Sequence, residues 1–313
     1  MNTKQTDRRD FLKTSAGLGL MTALPASARL AFPGGLLSDA AAKSPVVPLK
    51  PPAQGSIPVA ILLSEGAVVI DFCGPWEVFQ DASVAGRSEP AFHLYTVAKT
   101  TEPIRTSDGM KIVPEHTFEN APQPRVVVIP AQRDRGEEPV SWIRKVAPSA
   151  DVIMSVCTGA FILAKTGLLK GKAATTHHSA FRQFAMDFPD VALKRGARFV
   201  DEGRVATAGG LSSGIDLALH VLERYYGREA AESTAYYMEY QGQGWKNPES
   251  NAVYATARVS TDDKPLCFVC EMDVDPKTAP KSVYKGKTYL FCSDEHKQTF
   301  DANPEVYVKA AGK

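Results

Sequence analysis

The sequence has few cysteines, almost no net charge and no evident basic patch. Its 313 residues include five cysteines and carry a formal net charge of +1. Five cysteines are too few for a disulfide scaffold in a chain of this length. The balanced charge gives no electrostatic reason to expect nucleic acid or an anionic membrane as a partner. The composition is typical of a globular protein, with 44% hydrophobic and 23% charged residues. The length allows one large α/β domain and a smaller one.

The first 42 residues predict an export signal. A polar, basic start is followed by a small apolar stretch that is too short and too rich in Gly and Ala to span a membrane. Small-residue cleavage patterns end at Ala28 and at Ala42, which leaves two candidate cleavage points. Residues 8–13, RRDFLK, closely resemble the twin-arginine signal that exports folded proteins across the bacterial inner membrane. The resemblance implies the twin-arginine machinery as a partner and a periplasmic location. The alternative is an amphipathic helix of the mature fold.

From residue 57 onward, strand-length apolar runs alternate with helix-length segments. Residues 43–56 are Pro-rich and predict an extended linker before them. Strands are predicted at 57–63, 91–98, 124–131, 151–156 and 172–176, with a pair across 197–210, and helices at 71–82, 137–146, 158–164, from 179 and at 212–226. This alternation predicts an α/β domain at 57–245 whose doubly wound, mainly parallel sheet has helices on both faces.

Cys157 is the centre of the segment DVIMSVCTGAFILA at 151–164. The first half is a short β-branched run typical of a buried strand, and the second half has helical spacing. Cys157 is therefore predicted at a strand-to-helix turn, at the strand end where such sheets hold their sites. Helix N–H groups at such a turn are expected to depress the thiol pKa and favour thiolate. The alternative is a small buried cysteine that ends a core strand.

Asp71 lies in the first βα connection, VIDFCGPWEVF at 69–79, at the same edge of the predicted sheet. Because two anions in a poorly solvated pocket are unfavourable, a carboxyl group beside a thiolate is expected to hold a proton. Asp71 could then act as a general acid or base. The alternative is an N-cap for the following helix. Cys73 is interpreted as a helix packing residue.

Three segments resemble the ThiJ/PfpI superfamily, whose flavodoxin-like fold is shared with class I glutamine amidotransferases. They are IDFCGPWEVF at 70–79, SVCTGAFILAKTGLLKGKAATTHHSAF at 155–181 and DEGRVATAGGLSSGIDLALHVLERYYG at 201–227. The resemblance is closer to the isocyanide hydratase-like branch, which includes amidase-like domains fused to AraC-type regulators. Members of the superfamily also include proteases, chaperones and ligand-sensing modules, so the resemblance is more specific for the fold than for the activity. Homodimers are usual in the superfamily, which implies a homodimer here.

The resemblance implies roles for four residues. Cys157 matches the family nucleophile, and Asp71 matches the acidic partner of the hydratase branch. Thr158 would contribute a backbone N–H or its hydroxyl, and His177 could orient the substrate or the thiol, although a structural role for this histidine is the alternative. The implied chemistry is attack of the thiolate on a small-molecule substrate, an isocyanide in the hydratase, with no organic cofactor. Where the family usually has Pro-Gly-Gly, this chain has IPAQR at 129–133, so the loop's N–H groups are expected to point differently.

A polar linker at 246–264 is predicted to lead into a small α+β domain at 265–313. A hairpin is predicted about Gly286, and a helix is predicted to begin after Ser293 as its N-cap. Four candidate ligands fit a tetrahedral site for Zn(II) or Cu(I): Cys267, Cys270, Cys292 and His296. In such a small domain, metal could supply part of the folding energy. The alternative is a metal-free domain with reduced or disulfide-linked cysteines, in particular a Cys267–Cys270 bridge.

The segments VCEMDVDP, YKGKTYLFCSDEHKQTF and NPEVYV resemble the YHS domain of heavy-metal transport and resistance proteins. Here His296 stands where that domain more usually has cysteine, and Cys267 is an additional candidate ligand. The whole chain therefore predicts an exported protein in which a cysteine-dependent hydratase, lyase or amidase-like hydrolase is joined to a metal-binding module. The other hypothesis is a protein without turnover that binds or senses metal or a small ligand.

Overall fold

The computed structural model describes residues 47–311 of the chain. The predicted export signal and the first residues of the predicted 43–56 linker lie outside this range. The described strands are β1 Ile57–Leu62, β2 Phe92–Ala98, β3 Ile104–Arg105, β4 Lys111–Ile112, β5 His116–Thr117, β6 Val126–Ile129, β7 Val152–Val156, β8 Ala173–Ala174, β9 Ala192–Leu193, β10 Phe199–Asp201, β11 Val205–Ala208, β12 Lys281–Tyr284 and β13 Lys287–Leu290. The α-helices are α1 Val69–Gln80, α2 Glu137–Val146, α3 Gly159–Lys165, α4 Phe181–Asp187, α5 Ser213–Tyr226, α6 Arg228–Tyr237, α7 Asp294–Ala302 and α8 Pro304–Ala311. Within the described range, every helix falls short of the length and apolar character needed to cross a bilayer.

Seven strands form the central sheet in the order β10-β11-β7-β6-β1-β2-β5. All neighbouring pairs are parallel except β10 and β11, which pair antiparallel. The inner strands are short Val- and Ile-rich runs, and β6, β7 and β11 are buried along their whole length. Such runs fit a sheet that is covered on both faces, where each fully buried Val, Leu or Ile contributes about 2 kcal/mol. The predicted mainly parallel, doubly wound α/β fold is confirmed.

Helices cover the two faces of this sheet in separate layers. One hydrophobic cluster contains Phe72 of α1, Leu217 of α5 and Ala231 of α6. The other contains Trp142 of α2 and Phe161 of α3, with further residues from α4. Since α1 follows β1 and α3 follows β7, helices on opposite faces begin at the same carboxyl edge of the sheet. That edge carries the candidate catalytic residues.

Two segments differ from their predicted form. The strand predicted at 172–176 is reduced to β8, which pairs with β9 in a separate two-stranded ladder and not with the central sheet. The antiparallel β10 already occupies the edge next to β11, so β8 has no place there. Helix α1 begins at Val69, two residues before the prediction, with Val68 at its N-cap.

The C-terminal residues form a small α+β unit around an aromatic core. Strands β12 and β13 make a hairpin whose turn contains Lys285 and Gly286, both with positive φ. The hairpin is the one predicted about Gly286. Ser293 caps α7 by accepting a hydrogen bond from the backbone N–H of His296 at 3.3 Å, as predicted. Phe300 of α7 contacts aromatic rings from the hairpin and from α8. The predicted limits of the domains and linkers stay predictions.

Candidate functional site

Cys157 occupies the turn between β7 and α3, as predicted. Its φ of 58° is a left-handed conformation that a residue with a side chain seldom adopts. Its backbone N–H donates to the carbonyl of Gly209 at 2.8 Å, and its own carbonyl accepts from the hydroxyl of Thr176 at 2.9 Å. These bonds at the carboxyl ends of neighbouring strands hold the strained turn. The side chain is 7% exposed.

Gly159, at the start of α3, lets this turn lie directly on the end of β6. A Cβ atom at this position would be 2.1 Å from the carbonyl oxygen of Ile129, a backbone atom that cannot move aside. Close approach of two backbones is a common reason for glycine in a tight strand-to-helix turn. The glycine therefore helps to set the position of Cys157.

Asp71 is fully buried within the first turn of α1 and faces the Cys157 thiol. Its Oδ2 accepts the backbone N–H of Ala131 at 3.1 Å. Burial raises the carboxyl pKa to about 7, against the lowering effects of hydrogen bonds from Ala131, the Cys157 thiol and the Leu211 backbone. The N-cap alternative for Asp71 is wrong, because Val68 occupies that position.

Burial also raises the pKa of the Cys157 thiol, to about 12, and the neighbouring Asp71 carboxylate adds to this increase. The backbone N–H groups of Thr158 and Leu211 act in the opposite direction, since both can donate to a thiolate. The expectation that the turn alone depresses the thiol pKa is therefore wrong. Loss of hydration and a nearby carboxylate outweigh two N–H dipoles.

Ala131 lies in the loop that follows β6. Its N–H group donates to Asp71 and thus orients the acid. Further along the loop, Arg135 donates from Nη2 to Thr158 Oγ1 at 3.3 Å and packs over the ring of Phe161 at 4.8 Å. Arg135 was not predicted from the sequence. The only feature that marked it there was a charged side chain in a loop after a central strand.

His177 lies beside the loop that follows β11. A Cβ atom on Gly210 would be 2.2 Å from the His177 ring, so the ring packs directly on that glycine. Gly210 precedes Leu211, whose N–H reaches both Cys157 and Asp71. Burial and the nearby His178 lower the pKa of His177 to about 4, and its Nδ1 contacts the Ser179 hydroxyl at 2.7 Å. The ring is therefore neutral and held in place. The Leu211 N–H was also missed, although the Gly-Gly pair before it marked an unusual loop.

The four predicted metal ligands come together in the C-terminal unit. Cys292 Sγ lies 3.1 Å from His296 Nδ1 and 3.5 Å from Cys270 Sγ, and Cys267 Sγ lies 3.6 Å from the same histidine nitrogen. All four ligand atoms are within 4.8 Å of one another. Around a tetrahedral Zn(II) with bonds of about 2.3 Å, sulfur atoms are about 3.8 Å apart, so the cluster has suitable dimensions.

The cysteines of this cluster are not disulfide-bonded, so the alternative of a Cys267–Cys270 bridge is wrong. Hydrogen bonds from Cys270 and His296 lower the pKa of Cys267, and the negative charge on Cys267 raises the pKa of His296. The arrangement thus already stabilises one negative charge on sulfur. A metal cation would stabilise the remaining thiolates in the same way.

Two arginines of the larger α/β part hold the Cys267–Cys270 segment. Arg182 of α4 donates to the carbonyl of Phe268, between the two cysteines. Arg195 pairs with the buried carboxylate of Glu271 at 2.6 Å. Glu271 directly follows Cys270 and has a left-handed φ of 61°. Glu271 was not predicted from the sequence, because nothing in its surroundings marks a contact 76 residues away along the chain.

Comparison with known proteins agrees with these features. The model of the DJ-1/PfpI family matches residues 58–224, that of the YHS domain matches 267–311, and that of the twin-arginine translocation pathway signal sequence matches 5–25. An isonitrile hydratase from Pseudomonas putida is 30% identical over 190 residues, which cover 59% of this chain and 79% of the hydratase.

Two further similarities concern a regulator and a solved structure. The HTH-type transcriptional regulator GbdR from Pseudomonas aeruginosa is 27% identical over 176 residues, 55% of this chain and 47% of the regulator. The chain thus spans about half the length of that relative. A crystal structure of a ThiJ/PfpI family protein from Pseudomonas syringae has a TM-score of 0.54 and 28% identity, covering 60% of this chain and 77% of that one. With its matched sheet, its cysteine turn and more than half of its length covered by the family model, this chain belongs to the DJ-1/PfpI family.

Proposed function

We propose that Cys157 and Asp71 catalyse addition of water to a small electrophilic molecule, with an isocyanide hydratase-like reaction as the best candidate. The observation that carries this proposal is the fully buried Asp71 carboxyl group, with a pKa near neutrality, facing a thiol on a strained turn. A buried acid with that pKa can accept and return a proton near pH 7. The hydratase relative supports the choice of substrate.

In the proposed reaction, the Asp71 carboxylate takes the thiol proton as Cys157 sulfur attacks the isocyanide carbon. That carbon then receives the proton back from Asp71, which leaves an S-bound thioimidate, Cys–S–CH=N–R. Water adds to the same carbon, the nitrogen is protonated and the C–S bond breaks. The products are an N-substituted formamide and the thiol, with one water consumed. The Thr158 and Leu211 N–H groups would stabilise negative charge on sulfur during attack and departure.

The test is a steady-state assay with an alkyl isocyanide, following formation of the formamide. Cys157→Ala is expected to lower kcat/KM by at least about a thousandfold, and Asp71→Asn by about a hundredfold or more. Since the attacking form needs Asp71 ionised, kcat/KM of the unaltered protein should rise with pH through about 7. Asp71→Asn should remove that dependence.

Cys73→Ala is the matched control, because Cys73 is a half-buried thiol that packs against the core. It should retain the rate of the unaltered protein. Equal rates for the unaltered protein and Cys157→Ala would reject Cys157 as the nucleophile.

We further propose that Cys267, Cys270, Cys292 and His296 hold one Zn(II) or Cu(I) ion. Support comes from the cluster's dimensions and from the YHS match. A bound ion would neutralise the thiolates and stabilise a unit whose own core is small. The twin-arginine match supports export and a periplasmic location for the folded, loaded protein.

A second candidate function is ligand or metal sensing without turnover. It is favoured by the raised pKa of Cys157, which makes a resting thiolate scarce, and by the regulators among the relatives. Metal analysis of protein purified from its native compartment tests the metal-sensing form of this function. Bound Zn or Cu near one per chain is expected, falling to less than a tenth in Cys292→Ser and unchanged in Cys73→Ser. A metal-free intact protein would contradict metal sensing.

A further inference from the structure

A cavity of about 700 Å³ lies where α4 and the residues after it meet α8 and Glu271. Its volume is within the range of small-molecule sites. Much of its lining is apolar: Phe181, Met186, Pro189, Leu193 and Val306. The four metal ligands and the Cys157–Asp71 pair are not part of the lining, so the cavity is separate from both sites described above.

The charged residues of the lining leave an excess of positive charge. Arg182 and Arg195 share one carboxylate, that of Glu271, at 3.5 and 2.6 Å. Lys309, also in the lining, pairs with the exposed Glu305. The interior of the cavity therefore has two guanidinium groups and a single matching anion.

Both guanidinium groups are held rigidly. Arg182 lies over the ring of Phe268 and Arg195 over the ring of Phe181, each at 4.9 Å. The Nε atom of Arg195 is buried and lacks a hydrogen-bond partner among residues 47–311. Burial lowers the pKa of Arg182; the Glu271 carboxylate opposes this change, and the nearby positive charge of Arg195 adds to it. A second anion in the cavity would add to the single compensating charge of Glu271 and would be attracted to the guanidinium group of Arg195.

We propose that this cavity binds a small apolar monocarboxylate, with its carboxylate at Arg195 and its hydrocarbon part against the side chains of α4 and α8. Arg is suited to this role because its fixed donors match a planar carboxylate. The bound molecule would contact both the DJ-1/PfpI domain and the metal-binding module, and would lie beside the residue that follows Cys270.

The test is isothermal titration of the full-length protein with decanoate, and with decanol as a neutral compound of the same chain length. One decanoate per chain is expected, with decanol at least tenfold weaker. Arg195→Met should weaken decanoate binding at least tenfold, since a charge-assisted hydrogen bond is lost. Arg258→Met is the matched control, because Arg258 also bonds to Glu271 but does not line the cavity. It should bind decanoate as the unaltered protein does.

Val306→Glu provides an independent variant, since Val306 lines the cavity and is 42% exposed, so the substitution is compatible with folding. Its added negative charge should also weaken decanoate binding at least tenfold. Three results would each overturn the proposal. The first is that Arg195→Met and Val306→Glu both bind decanoate as tightly as the unaltered protein does. The second is equal binding of decanol and decanoate, and the third is no binding of decanoate.

Discussion

Burial raises the pKa of both ionisable groups of the Cys157–Asp71 pair. The carboxyl pKa rises to about 7 and the thiol pKa to about 12, so the proton on sulfur is held more tightly than the proton on Asp71. At neutral pH the resting site is therefore a thiol beside a partly ionised acid. In the proposed reaction, attack therefore depends on transfer of that proton to Asp71, and not on a thiolate present beforehand.

The raised pKa of Asp71 predicts a specific loss of stability with increasing pH. Its folded pKa of about 7 lies above the ordinary value of 3.8, so the folded state retains a proton that the unfolded state releases. The stabilisation is complete below about pH 4 and is lost as pH rises to about 7. Over this window the free energy of unfolding of the unaltered protein, relative to Asp71→Asn, should fall by up to about 4 kcal/mol.

Urea denaturation of the two proteins at pH 4.5, 6 and 7.5 measures this difference. Other titrating groups are common to both proteins and cancel in the comparison. A difference in unfolding free energy that is constant over the three pH values would mean that Asp71 has an ordinary pKa in the folded protein.

At the scale of elements, loops at the carboxyl ends of three neighbouring strands build the site. The turn after β7 presents Cys157, the loop after β6 supplies the Ala131 N–H, and the loop after β11 supplies the Leu211 N–H. The strands of a parallel sheet bring these loops to one edge. Small changes in the packing of α3 against β6 should therefore move the thiol relative to its partners.

Gly159→Ala tests this packing. The added methyl group would meet the Ile129 carbonyl, so we expect the free energy of unfolding to fall by about 3 kcal/mol. The control is Gly167→Ala, where the new Cβ has no atom within 4 Å and only the positive φ opposes it. This control should lose about 1 kcal/mol. Equal losses in urea denaturation of the two variants would show that the close contact at Gly159 has no energetic weight.

At the scale of the whole molecule, Glu271 connects the C-terminal unit to the DJ-1/PfpI domain. Its side chain is 10% exposed and accepts from Arg195, Arg182 and the backbone of Arg258. Because this buried carboxylate pairs with two partly buried cations, its removal should cost about 3 kcal/mol. Glu271 directly follows Cys270, so its ion pairs with the two arginines also hold one side of the Cys/His cluster.

Glu271→Gln is expected to weaken this contact, and limited proteolysis can measure the effect. Cleavage in residues 266–270, which are mostly buried, requires this unit to open, and it should become about a hundredfold faster if opening is easier by about 3 kcal/mol. Asp273→Asn is the matched control, because Asp273 also pairs with an arginine, Arg258, but is exposed. It should leave the rate unchanged, and equal rates for both variants would contradict a specific role of Glu271.

The central fold was predictable because its signals are local. Apolar Val- and Ile-rich runs, helical spacing and a cysteine between the two patterns predicted β7, α3 and the turn that joins them. The failures were also physical. The strand at 172–176 could not be assigned to its own ladder, because pairing partners are chosen by the neighbouring edge and not by local propensity. The start of α1 was misplaced because Asp71 resembles an N-cap in sequence.

The sequence by itself determined the family, the cysteine turn, the candidate acid and the four candidate ligands, since each depends on residue types at short, fixed spacing. The tertiary structure decided the charge state of the thiol and the contacts of Arg135, Leu211 and Glu271. A pKa depends on how much water remains and which dipoles point at the group. Those quantities are set by segments far apart in the chain, and they exist only once the sheet and the C-terminal unit are packed together.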